Sequence, residues 1–269
     1  LIEEVGRVFG YHRLPLTEPR GGLVLPVLPE DRVTLRTFKR QLVAQGYREA
    51  VTFSFVDRES LRLLNPSHAA IELANPIASD LAVMRTTLIA GLVKALRYNQ
   101  NRQQDRIRLF ESGLVFRQWQ GEILQEPRLA GVLAGPRHAP NWLDSREATD
   151  FFDAKGHVEA LLALVDERFT WRGVEREGWH PGQTAEILRD GLSVGLVGAL
   201  DPQIVKSLDL NGPVCAFELC LKTIMKGKVP IFRGISRFPE IRRDLAIIID
   251  KTTRYAEVSA VIAENAGPA

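Results

Sequence analysis

Apolar residues recur along this chain with two different periods, and the period predicts the element. Leu35, Phe38, Leu42 and Val43 stand at helical spacing, with Glu30 and Asp31 at the positive end and Gly46 as a stop, which predicts a helix over residues 30–45. Val51, Phe53 and Phe55 alternate with Thr52 and Ser54, the pattern of a half-buried strand. Asn75 and Pro76 break the chain before a short apolar stretch at 81–85. Leu88, Leu92, Ala95 and Leu96 then restore the helical period to about residue 101, with Thr86 or Thr87 as the cap. Further helices are predicted at 1–9, closed by Gly10, and at 150–166, 202–208 and 255–265. Strands are predicted at 106–116, 129–133, 185–188, 192–200, 214–221 and 244–250. Strands outnumber helices and lie close enough in sequence for antiparallel pairing, so the expected class is α+β, with helices packed on a mainly antiparallel sheet.

Composition narrows this picture a little. The 269 residues allow one large domain or two ordinary ones, and 45% hydrophobic content is enough for a core. Pro15, Pro19, Gly21, Gly22, Pro26 and Pro29 form a linker-like stretch. With 35 basic and 33 acidic side chains the net charge is only +2, so overall charge does not argue for nucleic-acid binding. Cys215 and Cys220 are five apart in an apolar run, which predicts two thiols on opposite faces of one strand. So few cysteines suit a reducing compartment. No apolar run approaches the roughly 20 residues of a membrane helix, and no signal peptide is read. The expected compartment is the cytoplasm. The opening Leu1-Ile2-Glu3-Glu4-Val5 lacks a methionine and lies within a helix, so a piece of a longer protein is expected.

Several chemistries leave no trace. There is no phosphate-cradling G-x-x-x-x-G-K-[ST] loop, no G-x-G-x-x-G after a strand and no G-x-S-x-G elbow. The five histidines (His12, His68, His138, His157 and His180) include no pair at metal-ligand spacing. His157 and Glu159 are two apart on a helix and do not share a face. Asp150, Asp153 and Lys155 read as the solvated side of that helix.

Six strings are more distinctive: Asn75-Pro76-Ile77-Ala78 with Met84-Arg85, Tyr98-Asn99-Gln100-Asn101-Arg102, Phe110-Glu111-Ser112-Gly113, Asp153-Ala154-Lys155-Gly156, His180-Pro181-Gly182-Gln183-Thr184-Ala185 and Phe238-Pro239-Glu240-Ile241-Arg242-Arg243-Asp244-Leu245. In order and spacing, over almost the whole chain, they resemble the β subunits of bacterial phenylalanine–tRNA ligases. The resemblance implies a class II aminoacyl-tRNA synthetase-like antiparallel sheet flanked by helices, plus a truncated ferredoxin-like domain. The implied layout is the end of a B5-like module at 1–14, a linker at 15–28, a non-catalytic synthetase-like core at 29–225, a linker at 226–233 and the start of an anticodon-binding domain at 234–269. It also implies a partner α subunit that attaches phenylalanine to tRNA(Phe) with ATP and Mg2+, in an (αβ)2 heterotetramer. This region would be a scaffold and tRNA-binding part.

The same comparison argues against catalysis by this chain. A class II site uses arginines and magnesium to stabilise charge on the phosphates. One arginine belongs to F-R-x-E or F-R-x-D, but the nearest string here is Phe116-Arg117-Gln118-Trp119, and indole cannot accept a hydrogen bond. The second arginine should lie on the helix after a glycine-rich strand, and residues 203–208 after Gly195 and Gly198 carry Lys206 but no arginine. No catalytic residue is therefore assigned, and Arg117 is expected at a solvated strand end. Glu3 and Glu4 match carboxylates that bind magnesium in the family, although the pattern's leading aspartate would precede Leu1. Arg97, Arg102, Arg106 and Arg108 around Tyr98 form the densest basic group and are candidates for tRNA phosphate or subunit contact. The helix at 30–45 is a candidate for subunit packing, and Asp244 is expected to be structural. Two other readings remain: a stand-alone regulatory or RNA-binding protein on a degenerate synthetase fold, and a self-sufficient class II ligase, which the missing arginine opposes. A class I ligase is excluded, since neither H-I-G-H nor K-M-S-K-S occurs.

Overall fold

Long strands with apolar residues on both faces must be covered on both sides, and this governs the architecture. The computed structural model describes residues 1–18, 21–22, 27, 29–142, 147–165, 168–229, 231–232, 234 and 242–265. In chain order, α1 (Ile2–Phe9), α2 (Leu35–Ala44), β1 (Arg48–Glu49), β2 (Phe55–Val56), α3 (Arg58–Leu64), β3 (Val83–Met84) and α4 (Ile89–Gln100) precede the long hairpin of β4 (Ile107–Trp119) and β5 (Glu122–Ala134). Then come α5 (Phe151–Leu162), β6 (Thr170–Gly173), β7 (Trp179–Arg189), β8 (Leu192–Leu200), α6 (Pro202–Ser207), β9 (Val214–Cys220), α7 (Leu221–Ile224) and α8 (Tyr255–Asn265). The seven-stranded sheet has the order β1-β4-β5-β9-β8-β7-β6. Only its β1–β4 pair is parallel, and the other pairs are antiparallel. The α+β expectation, with a mostly antiparallel sheet flanked by helices, is therefore borne out.

Strand periodicity separates two core layers. In β9, Val214 and Ala216 pack in the layer of α3 and α4, with Leu61, Leu64, Leu92 and Leu96. Cys215, Phe217 and Leu219 pack in the layer of α2 and α5, with Phe38, Leu42, Val158 and Leu161. Gly131 on the neighbouring strand leaves room for the Phe217 ring.

Some boundaries differ from the sequence expectation for local reasons. α2 starts at Leu35, not at residue 30, because the Thr34 hydroxyl accepts from Thr37 N at 3.3 Å and Val33 N is drawn to Met225 O at 2.9 Å. Asp150 and Asp153 are not merely solvated. They form a reciprocal capping box on α5, and both pair with Arg137. The strand expected from Val51 to Phe55 exists only as the short β2, and its facing is reversed. Val51 and Phe53 are 91% and 71% exposed, while Thr52 turns inward.

Thr52 turns in because it joins a buried ion pair. Arg85 and Glu111 are 4% and 3% exposed and meet at 2.7 Å. Arg85 also donates to Leu114 O at 2.9 Å and to the Thr52 hydroxyl at 3.1 Å, and Thr52 in turn donates to Glu111 at 2.7 Å. Two glycines make the space. A Cβ on Gly113 would strike the Arg85 guanidinium, and one on Gly91 would strike the Thr52 hydroxyl. Such a pair has shed its water, so its stability depends on every member being present.

On the opposite face Arg108, one of the candidates for tRNA phosphate or subunit contact, is also buried. Its guanidinium donates to Gln45 O at 2.9 Å and to Arg137 O at 2.8 Å. It lies beside His157, whose Nδ1 is 3.0 Å from the Tyr47 hydroxyl. Burial, and then the Arg108 charge, hold the His157 pKa down at about 4.

The chain divides into two units, Leu1–Pro230 and Ile231–Ala269. In the second, α8 forms as expected. Residues 244–250, expected as a strand, form no strand pairing among the described residues, and Ile248 is fully exposed. The string from Phe238 to Ile241 lies outside the described residues.

Arg85→Met is expected to cost about 3–5 kcal/mol in urea unfolding, because it strands the Glu111 carboxylate. Arg85→Met combined with Glu111→Leu should cost less than the single change. A second expectation concerns pH. The unfolded chain protonates His157 near 6.5 and the folded chain only near 4, so stability is lost as pH falls through that window. The melting temperature of His157→Gln should therefore fall less between pH 7 and pH 5 than that of the parent.

Candidate functional site

The α4 face of the sheet opens into a cavity of about 290 Å3. β4 brings Arg117 to it, β5 brings Arg128, and the turn before β7 brings Arg176. β9 supplies Glu218, the segment after α3 supplies Asn65 and His68, and Trp179, Thr86 and Thr87 complete much of the wall. Glu218 sits at the start of α4, where it accepts from Leu88 N at 2.8 Å and from the Thr87 hydroxyl at 3.1 Å. Thr87 in turn accepts from Ile89 N at 3.1 Å. The N-cap of α4 is therefore Leu88 and not a threonine as expected: the Glu218 carboxylate from another strand meets its amide, and Thr87 stands one residue before it.

The charges in this cavity are strongly coupled. Burial pushes the Glu218 carboxyl up, against the pull of the Leu88 amide and Arg128. Glu126 lies beside the site, bonded to Arg128 and 3.5 Å from Arg117. Although burial works to raise it, these two arginines hold its carboxyl below the usual range. His68 is held low by burial and then by Arg117, Arg176 and Arg128. Arg117 therefore does not stand at a solvated strand end. It is half-buried in a cationic wall, while Trp119 two residues on is mainly exposed.

A second feature is apolar. Val51, Phe53, Phe55, Leu81 and Tyr98 help line an open groove of about 590 Å3, formed by the segment after β1 and one side of α4.

The four arginines singled out from the sequence do not form one patch. Arg97 lines a separate cavity with Asp57, Glu59, Asp80 and Lys94. Arg102 lies over the Tyr98 ring at 3.4 Å from its centre. Arg106 and Arg108 both reach the Arg137 carbonyl on the far face. Glu3 and Glu4 are exposed on α1, and Glu4 pairs with Arg7 at 2.9 Å. No group of three or more His, Cys, Asp or Glu suited to a metal occurs among the described residues. Two carboxylates, one already engaged by an arginine, do not by themselves meet magnesium's octahedral demand. Sequence reading missed Arg128, Arg176 and His68, which come from separate elements. Glu218 did leave a signal, as a lone charge inside the apolar run at 214–221.

The family motifs acquire structural roles. Arg85, Glu111 and Gly113 belong to the buried ion-pair cluster. The His180 string carries a register break in β7, where Thr184 donates to His180 O at 2.7 Å.

Residues 14–221 match the family described as phenylalanyl tRNA synthetase beta chain CLM domain. A phenylalanine–tRNA ligase beta subunit of Hahella chejuensis (strain KCTC 2396) is 54% identical over 267 residues, covering 99% of this chain and 34% of the relative. The corresponding subunit of Pseudomonas fluorescens (strain Pf0-1) is 48% identical over 269 residues, with the same shares. That of Nitrosococcus oceani is 44% identical over 253 residues, covering 93% of this chain and 32% of the relative. The chain thus spans about a third of the length of these relatives. Identity of this extent along nearly every residue makes the chain a member of the phenylalanyl tRNA synthetase beta chain family.

Proposed function

We propose that this chain is a non-catalytic scaffold and tRNA-binding part of a phenylalanine–tRNA ligase. In that enzyme an α subunit performs the ATP- and Mg2+-dependent attachment of phenylalanine to tRNA(Phe), within a cytoplasmic (αβ)2 assembly. The observation that carries the scaffold role is the uncovered apolar groove beside the β1 edge, where Val51, Phe53 and Tyr98 stand in solvent. Exposed apolar surface of this kind marks a partner interface. β1 is only two residues long, and its outer edge is the natural limit of the sheet within this chain.

Residues 29–225 are read as a class II synthetase-like core and 234–269 as part of a ferredoxin-like domain. The parallel β1–β4 pair leading into antiparallel strands supports the first reading. Arg97 and Arg102 remain the candidates for tRNA phosphates, since both are exposed or at a cavity rim, and Arg106 is a weaker one. Glu3 and Glu4 would take part in a magnesium site only with further oxygen ligands. No helix among the described residues is long and apolar enough to cross a membrane.

Co-expression with a phenylalanine–tRNA ligase α subunit tests the scaffold role. The two chains should co-purify, and Phe53→Asp with Tyr98→Asp should weaken the complex at least about tenfold without lowering the melting temperature of the free chain. A chain that stays monomeric with the α subunit and binds RNA alone would favour the stand-alone reading. In a separate assay, the purified chain should show no phenylalanine-dependent ATP–pyrophosphate exchange. Exchange that disappears in Arg117→Ala would overturn the non-catalytic assignment.

A further inference from the structure

The arginines around the α4-face cavity are not all matched by acids. Glu126 is bonded by Arg128 and approached by Arg117, and Glu218 is turned to the start of α4. Arg176, exposed at the rim, forms no ion pair among the described residues. The Nε groups of Arg117 and Arg128, like those of Arg106 and Arg108 on the opposite face, are buried with no acceptor among the described residues. Arg176 thus leaves unmatched positive charge at the cavity.

We propose that this cavity is an anion site that takes the phosphate group of a small phosphorylated ligand between Arg117, Arg128 and Arg176. Three arginines from three different elements line the space. That arrangement suits a tetrahedral oxyanion with acceptors on several sides better than a flat carboxylate, which a single guanidinium fork can satisfy. The charges facing the ligand are these three arginines, Glu218 and, beside Arg128, Glu126. Glu218 opposes an anion, but burial moves it toward the neutral form. Burial and the neighbouring arginines favour the neutral form of His68, and its Nδ1 is 3.1 Å from Asn65 Oδ1. That contact leaves Nε2 as the position for a proton when a dianion arrives, so His68 reports occupancy. The site lies apart from the groove of Val51, Phe53 and Tyr98 and does not depend on the scaffold reading.

Inorganic phosphate and pyrophosphate, titrated calorimetrically into the purified chain at ionic strength matched with chloride, test the proposal. Saturable binding is expected, together with a rise in the titration midpoint of the His68 ring followed by NMR. Arg176→Gln should weaken binding about tenfold. Because Arg176 makes no ion pair, its melting temperature without phosphate should be unchanged. Arg58→Gln, at the exposed start of α3, should bind as the parent does. The absence of saturation above the chloride background would overturn the proposal, as would binding that Arg176→Gln leaves intact. Neither failure would affect co-purification with an α subunit.

Discussion

The buried Arg85–Glu111 pair is the constraint from which much of the α4 face follows. An ion pair this deep is stable only with its remaining donors and acceptors satisfied. Here Thr52 and the Leu114 carbonyl meet that need. The price is local: Thr52 must face inward, so Val51 and Phe53, its neighbours on an extended segment, must face outward. Gly91 and Gly113 are then required, because any side chain there would collide with the cluster. One electrostatic contact thereby uncovers the apolar groove.

A second polar connection organises the same layer. Glu218 projects from the central strand β9 to the start of α4, tying the helix to the sheet through Leu88 N and Thr87. The carboxylate also lies in the cavity with Arg117 and Arg128, so the helix cap and the cationic wall share their charges. A strand residue that would ordinarily be apolar therefore serves both anchoring and electrostatics. The opposite layer follows the same logic with Arg108, whose guanidinium bridges the carbonyls of Gln45 and Arg137 and, after burial itself, helps to keep His157 neutral.

Most long elements were legible from the sequence. The 3.6-residue period at Leu88, Leu92 and Leu96 and the apolar runs of β8 and β9 depend on local spacing, and the structure places them where the spacing predicts. Errors arose where a tertiary contact overruled a local pattern. Thr34 and the pull of Met225 on Val33 shortened α2 from its N-terminal end. The ion pair reversed the alternation at Val51–Phe53. Four arginines close in sequence went to different places: Arg106 and Arg108 reach the Arg137 carbonyl, Arg97 lines a separate cavity and Arg102 lies over the Tyr98 ring.

The sequence by itself determined the fold class, the main helices and strands and the family, because these rest on periodicity and on residue strings that survive without coordinates. Only the tertiary structure decided which charged residues meet. Arg117, Arg128 and Arg176 span 60 positions of chain, and their convergence depends on the order β4-β5-β9-β8-β7. Strand order is a non-local property set by packing both faces of the sheet at once, and no window of sequence contains it.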